Sequence, residues 1–493
     1  MPEAFDERAL DMNAPANQAA VSAGSSSTTQ LGGGGQAAQA MFLSSLGLMA
    51  DLYDLSIINL VRPTLEEHYG TMSPLENGLV SSAALLGAIV GQLLFGIIAD
   101  RFGRRLVFVC TALLISLACL CSALAQPMFG LSIYGNLVVF RFALGIGVGG
   151  EYPLSAASTV ENIDPDSSSK ALATVMAGMT LGILLGPVVV IALGAAFGKH
   201  HDYVWRGAFG VGALMTLPLA LLRWSHLRET DSFQAASVNQ DDRVQENDKL
   251  AAIWAMRWSL TGAAGSWFLY DIVTYGANMF STTLFPPPEG ESPASVVLLI
   301  GLISFPGALV AIPIANSISM KNLQVLSLSV MAFCFFILER AGSGLGTSNT
   351  SARSIITFAL MSTADCCGPS VTTYTVPGQI FPTRIRATAH GISAAAGKVG
   401  AVVGTFAFPI LHDSIGIRGV MGFMAMVCAT TVLWTMLFTP EYSVPIVREI
   451  ERRNNLPIQQ QCVFAERLLY SKADCREVEA IAAGGPRRGD RSE

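Results

Sequence analysis

The chain has 493 residues, 51% of them hydrophobic and only 13% charged, with a formal net charge of −6 and a mean hydropathy of +0.49. Soluble domains carry about 25% charged residues, so the composition argues against a soluble enzyme or scaffold, and no basic patch with interleaved aromatics points to nucleic acid. Most of the nine cysteines lie inside apolar runs without C-x-x-C spacing and read as small buried hydrophobes, while Cys462 and Cys475 fall in a polar tail.

Residues 1–38 are polar and rich in Ser and Gly (SAGSSSTTQLGGGGQ), without the basic flank and apolar core of a signal peptide, and are expected to form a disordered cytosolic tail. Apolar runs of about twenty residues then recur, each long enough to cross a bilayer as a helix. They predict twelve helices over 40–60, 79–99, 106–126, 133–157, 171–197, 205–224, 259–284, 294–316, 322–340, 355–379, 388–411 and 418–438. The longest polar interruption separates the sixth from the seventh. The expected organisation is therefore a six-helix half over 39–224, a cytosolic linker over 225–257, a second six-helix half over 258–440 and a cytosolic tail over 441–493. That layout is typical of transporters built from repeats, with a substrate site between the halves near the midplane. With both ends inside, the loops on that side hold Arg101, Arg104, Arg105, Arg223, Arg228, Lys249, Lys321, Arg384 and Arg386, in keeping with the positive-inside rule. An Asn349-Thr350-Ser351 sequon falls in a predicted outer loop.

Charges at membrane depth cost at least ~2.5 kcal/mol each and mark function by default. In the first helix stand Asp51 and Asp54, three apart and facing nearly the same way. In the fourth, Arg141 precedes a glycine ladder (Gly145, Gly147, Gly149, Gly150) that ends on Glu151 and Tyr152. Such glycines let another helix pack almost backbone to backbone. The same letters fit G-x-G-x-x-G, but a nucleotide loop needs a strand before it and a helix start after it, and this one lies within one apolar run. Arg141, ten residues before Glu151 on the same helix, is expected to be its basic partner or a gate, and Asp51, Asp54 and Glu151 to form a cluster with coupled protonation. In the seventh helix Trp267, Asp271 and Tyr275 are spaced by four and share a face. Lys398, amid Ala394, Ala395, Ala396, Gly397 and Gly400, is the clearest cation at membrane depth and supplies a point charge suited to phosphate.

The loop after the second helix reads Gly96-Ile-Ile-Ala-Asp100-Arg101-Phe-Gly103-Arg104-Arg105. Taken alone it reads as a basic interfacial anchor, but GxxxDRxGRR closely resembles the signature loop of the major facilitator superfamily. The resemblance implies that Asp100 pairs with basic residues and a helix terminus to latch the inner side closed. The corresponding place in the second half, Asn316 to Lys321, is degenerate. GIGVGGEYPLSA, GSWFLYD with Tyr275, and the string from Pro377 to Gly404 resemble the phosphate:proton symporters of fungi and plants, over roughly residues 40–440. This implies an all-α membrane protein with the twelve-helix, two-half fold. It implies a phosphate site lined by Tyr152, Trp267, Asp271, Tyr275 and Lys398, and a proton route through Asp51, Asp54 and Glu151, with the proton as coupling ion and no other cofactor or metal.

Departures from the family pattern bear on the substrate. Glu151 replaces an aspartate; Ala177 and Ser370, the latter kept as a binding residue, replace a phosphate-contacting glutamine and an asparagine; and Asp365, Cys366 and Cys367 stand where the family is neutral. Losing two amides leaves room for an organic phosphate ester, and glycerophosphodiester permeases also look similar at GVGxEYP. The tenth and eleventh helices, with Pro382-Thr383-Arg384 and His390-Gly391, look more like the inorganic phosphate carriers and favour inorganic phosphate, with the diester carrier as the alternative and a phosphate-sensing receptor as a third reading. Asp365 could repel a divalent anion, pair with Lys398 or carry a second proton. No H-E-x-x-H, nucleophile elbow or Walker loop is present, so the chain is not expected to be an enzyme, and His390 falls in a predicted cytosolic loop match. The expected partners are phosphate or a small phosphate ester and the lipid bilayer, with one chain sufficient, in the plasma membrane.

Overall fold

Inside a bilayer no water satisfies the backbone, so a chain this apolar must cross as helices. The computed structural model describes residues 30–483 apart from 129, 199, 231–232, 235–244, 280, 287–291, 342–351 and 455. Among these residues, helices are the only extended regular structure, beside one isolated bridge between Met128 and Leu131. The sequon and residues 1–29 of the predicted tail lie outside the described residues.

The first half comprises α1 (Gln30–Tyr69), α2 (Pro74–Phe102), α3 (Arg104–Ala123), α4 (Ile133–Asn162), α5 (Pro165–Phe197) and α6 (His201–His226). Local chemistry starts several of them. Ser73 and Glu76 form a reciprocal capping box at α2, Ser132 caps α4, and Asp164 followed by Pro165 opens α5. Residues 30–38 are helical rather than tail. Extending an existing helix adds one hydrogen bond per residue fixed, whereas starting one is costly, so α1 runs back through the glycine-rich stretch.

A linker helix α7 (Gln245–Ala255) leads to the second half. This half contains α8 (Arg257–Met279), the short α9 (Ser281–Leu284), α10 (Pro293–Ile314), α11 (Met320–Ala341), α12 (Ala352–Cys367), α13 (Pro369–Ile380) and α14 (Arg386–Phe438). The predicted tenth helix is broken at Gly368, because Pro369 lacks an N–H and disfavours helical geometry in the residue before it. A Cβ at Gly368 would stand 2.2 Å from Ser327 of α11, so the break also sits at a close helix contact. α14 joins two predicted helices across Gly416, whose φ of 70° and ψ of 173° are not helical. Nine helices among the described residues are long and apolar enough to span a membrane. With α8, the α12–α13 pair and the second part of α14, the set is consistent with twelve crossings.

The glycine ladder faces α2 and α3. A Cβ on Gly145 would lie 2.1 Å from the Ala84 carbonyl and one on Gly149 2.3 Å from that of Ala88, so α2 and α4 meet backbone to backbone. The same device joins α8 to α14, where Gly400 and Gly404 face the carbonyls of Phe268 and Ile272.

Beyond α14 the chain folds into α15 (Val444–Arg452), α16 (Ile458–Tyr470) and α17 (Lys472–Ala482). They lie at the end of the bundle where α2 turns into α3, called here the gate side. Glu466 of α16 accepts hydrogen bonds from the amides of Trp258 (2.7 Å) and Ser259 (3.1 Å), capping α8 from another part of the chain.

Candidate functional site

The second half supplies one centre. Lys398 is 2% exposed and lies 3.1 Å from Asp271 Oδ2 and 2.9 Å from the Tyr275 hydroxyl. Trp267 stands one turn earlier on the same helix and is buried. The four-residue spacing thus stacks an indole, an acid and a phenol along one face of α8, against the lysine of α14. Small residues around Lys398 permit this approach, since a Cβ at Gly397 would overlap the Trp267 ring at 2.4 Å. From the first half, Tyr152 brings its ring to 5.2 Å from Lys398 Nζ and to 6.4 Å from Trp267. Five of the predicted binding residues therefore meet at the junction of the halves. Ser370 lies half-buried in the first turn of α13 and is not drawn into this set.

The first half holds a second polar centre. Glu151, 1% exposed, is held by both terminal nitrogens of Arg223, each at 2.7 Å, and by the Thr111 hydroxyl at 2.6 Å. Arg141 is not its partner. Ten residues along a helix is about 15 Å; Arg141 instead donates to the Leu55 carbonyl at 3.3 Å and lies electrostatically beside Asp54. Asp51 is within electrostatic reach of Glu151, Arg223 and Asp54, so the three carboxylates share one polar region. Both oxygens of Asp54 are buried without a hydrogen-bond partner among the described residues.

Below these centres, toward the gate side, lies an aromatic layer that the sequence did not indicate. Tyr374 packs edge-on against Tyr152 and His390, and His390 against Trp267, at centroid distances of 6.4, 5.2 and 5.6 Å. The Tyr374 hydroxyl meets Ser155 Oγ at 2.7 Å across the halves. His390 is thus fully buried within α14 rather than in a loop. Tyr374 and His390 thus link the Tyr152 and Trp267 rings in a continuous chain of edge contacts.

The gate side is closed by charges. Asp100 accepts from the amide and hydroxyl of Thr388, both at 2.7 Å, and from the Ala387 amide at 3.3 Å, placing a carboxylate at the N-terminus of α14. A Cβ on Gly96 would lie 2.7 Å from the Ala387 carbonyl. Arg104 joins Asp100 (3.1 Å), Glu161 (2.9 Å) and the Thr383 carbonyl (3.0 Å), while Arg386 pairs with Glu161 and Glu451. Gly103, at φ 94°, admits Glu229, which accepts from the amides of Arg104 and Arg105. Arg105 also donates to the Trp224 carbonyl, and Arg101 lies over the Phe102 ring. The positive-inside pattern places Arg104, Arg223 and Arg386 in loops, yet each is 1% exposed inside the bundle.

The family assignment follows from comparison with known proteins. The Major Facilitator Superfamily profile matches residues 44–377. The chain belongs to the major facilitator superfamily. Its relatives within the superfamily include low affinity inorganic phosphate transporter 4 of Lotus japonicus, 30% identical over 74% of this chain and 82% of that protein. Another is probable inorganic phosphate transporter 1-6 of Arabidopsis thaliana, 28% identical over 78% and 88%. Among solved structures, the proton:xylose symporter XylE bound to 6-bromo-6-deoxy-D-glucose superposes with a TM-score of 0.70 at 18% identity, over 83% of this chain and 97% of that one. A partially occluded inward open form of the same transporter gives 0.65. At that identity the likeness concerns the fold. This superfamily member is thus an integral, multi-pass membrane protein, closed on its gate side.

Proposed function

We propose that this chain is a secondary active transporter that takes up inorganic phosphate together with protons by alternating access. The observation that carries the reading is the buried Lys398–Asp271–Tyr275 centre, ringed by Trp267 and Tyr152, at the junction of the halves. As it stands, the pair is neutral. A proton on Asp271 leaves Lys398 as a net positive charge beside the Tyr275 hydroxyl and the face of the Tyr152 ring, which suits an oxyanion. Proton binding and phosphate binding then favour each other, which gives symport its sign.

On this reading the gate side is cytosolic, both termini lie there, the membrane is the plasma membrane and one chain suffices. The Asp100–Thr388 and Arg104–Glu161–Arg386 contacts hold the cytosolic side shut, and release requires them to separate, each state keeping its own pairs. The proton is the only coupling partner and no other cofactor takes part. Inorganic phosphate is preferred over a phosphodiester because Ala177 leaves no opening: it packs in a small apolar cluster with Ala308 and Cys366 and is 6% exposed. Uptake of labelled phosphate is expected to rise as the external medium is acidified, in cells lacking their own phosphate carriers, and to resist competition by glycerophosphoinositol and glycerophosphocholine. Uptake blocked by either diester would transfer the reading to a phosphodiester carrier.

A further inference from the structure

Asp365 takes no part in the centre around Lys398 and lies beside it. It sits on α12, nine residues after the exposed Ile356. At ~3.6 residues per turn that is two and a half turns, so the carboxylate points away from lipid, and it is half-buried. The Thr274 hydroxyl lies 3.4 Å from its Oδ1, and Tyr270 is an electrostatic neighbour. These residues flank Asp271 on α8. Asp365 therefore shares the region of the substrate centre without touching Lys398, whose ammonium is engaged by Asp271 and Tyr275.

We propose that Asp365 is a second proton-carrying carboxyl, loaded as the anion enters from the outer side and unloaded as it leaves. The inference rests on the phosphate:proton reading above. With Asp271 protonated, Lys398 contributes +1 and an ionised Asp365 −1, so an arriving anion meets no net attraction. A proton on Asp365 restores the single positive charge. Conversely, an anion beside Lys398 makes ionisation of Asp365 harder, so the two bind together.

The groups around Asp365 supply no other compensation. From α8 it faces Tyr270, Thr274 and Asp271; Cys366 of its own helix and Cys428 of α14 are electrostatic neighbours. α10 carries no ionisable residue. On α11, Lys321 is tied to the carbonyls of Met436 and Thr439, and Cys334 lies in an apolar cluster. Tyr374 of α13 is bound to Ser155. Among the described residues no cation is paired with Asp365, whereas Asp271 and Glu151 each have one.

The test is the equilibrium accumulation of phosphate in proteoliposomes holding the full chain, at zero membrane potential. A pH difference of one unit is imposed, acid outside, in a range where phosphate is a monoanion. Each coupled proton contributes about a tenfold accumulation per pH unit, so Asp365→Asn is expected to accumulate about tenfold less than wild type and Asp365→Glu as much as wild type. Equal accumulation by wild type and Asp365→Asn overturns the proposal. Asp365→Ser serves as a second neutral variant. If both neutral variants also lose phosphate–phosphate exchange at equal pH, Asp365 holds the anion rather than a proton and the proposal is again overturned. A wild-type protein that moves no phosphate defeats the functional reading instead, a result distinct from either.

Discussion

Glu151 and Arg223 form a buried, bidentate ion pair, and removing one partner should expose what it holds. Arg223→Leu takes away two charge-assisted hydrogen bonds of 2.7 Å and leaves Glu151 with Thr111 alone. At about 1.5–3 kcal/mol for each bond to a charged group, the loss is of order 3–6 kcal/mol, in line with the ~3–5 kcal/mol of an orphaned buried charge. Glu151→Leu should cost a similar amount, and the double variant far less than the sum. The same cycle with Arg141→Leu should be additive to within about 0.5 kcal/mol, because Arg141 lies about three turns away along α4. Unfolding of purified protein in detergent, followed by tryptophan fluorescence against denaturant, reads each term. Coupling between Glu151 and Arg141 as strong as that between Glu151 and Arg223 would refute the assignment of Arg223 as the partner.

Other parts of the structure make sharper or simpler demands. Asp271→Asn and Lys398→Ala should each abolish phosphate uptake in cells while the protein still reaches the membrane; normal uptake by either contradicts the role of the centre. Asp100→Asn removes a charge from the N-terminus of α14, worth up to about 2 kcal/mol in a buried setting, and should speed hydrogen exchange at the Ala387 and Thr388 amides by as much as roughly thirtyfold. Unchanged exchange there would mean that Asp100 does not hold the gate. Gly149→Val places side-chain atoms against the Ala88 carbonyl, 2.3 Å from the added Cβ, and should lower the yield of folded protein severely, measured by size-exclusion chromatography.

Much of the Lys398 centre was legible because each residue breaks an apolar background. Lys398 and Asp271 are charges with no place in lipid, and the spacing of Trp267, Asp271 and Tyr275 turns sequence distance into a shared face. Pairing across helices was less legible. Arg223 stands inside the predicted sixth helix, but in its last turn, where arginines commonly reach out to the interface, so it was assigned to a loop although it points inward to Glu151. Arg141 was matched to Glu151 because both lie on one helix, where only neighbours three or four apart can meet. The aromatic layer of Tyr374 and His390 arises where the two halves touch, and no local spacing encodes that contact. The break at Gly368 could have been read from the glycine–proline pair. The helices beyond α14 could have been read from Ile446, Val447 and Ile450 and from Cys462, Ala465, Leu468 and Leu469, which repeat at helical spacing and are buried.

Phosphate movement by purified protein in proteoliposomes, driven only by an imposed proton gradient, tests the central claim most directly. Wild type should take up labelled phosphate when the outside is acid, stop when a protonophore collapses the gradient, and lose the response entirely in Lys398→Ala. Uptake that ignores the gradient, or that survives in Lys398→Ala, would contradict a proton-coupled phosphate carrier built on this centre.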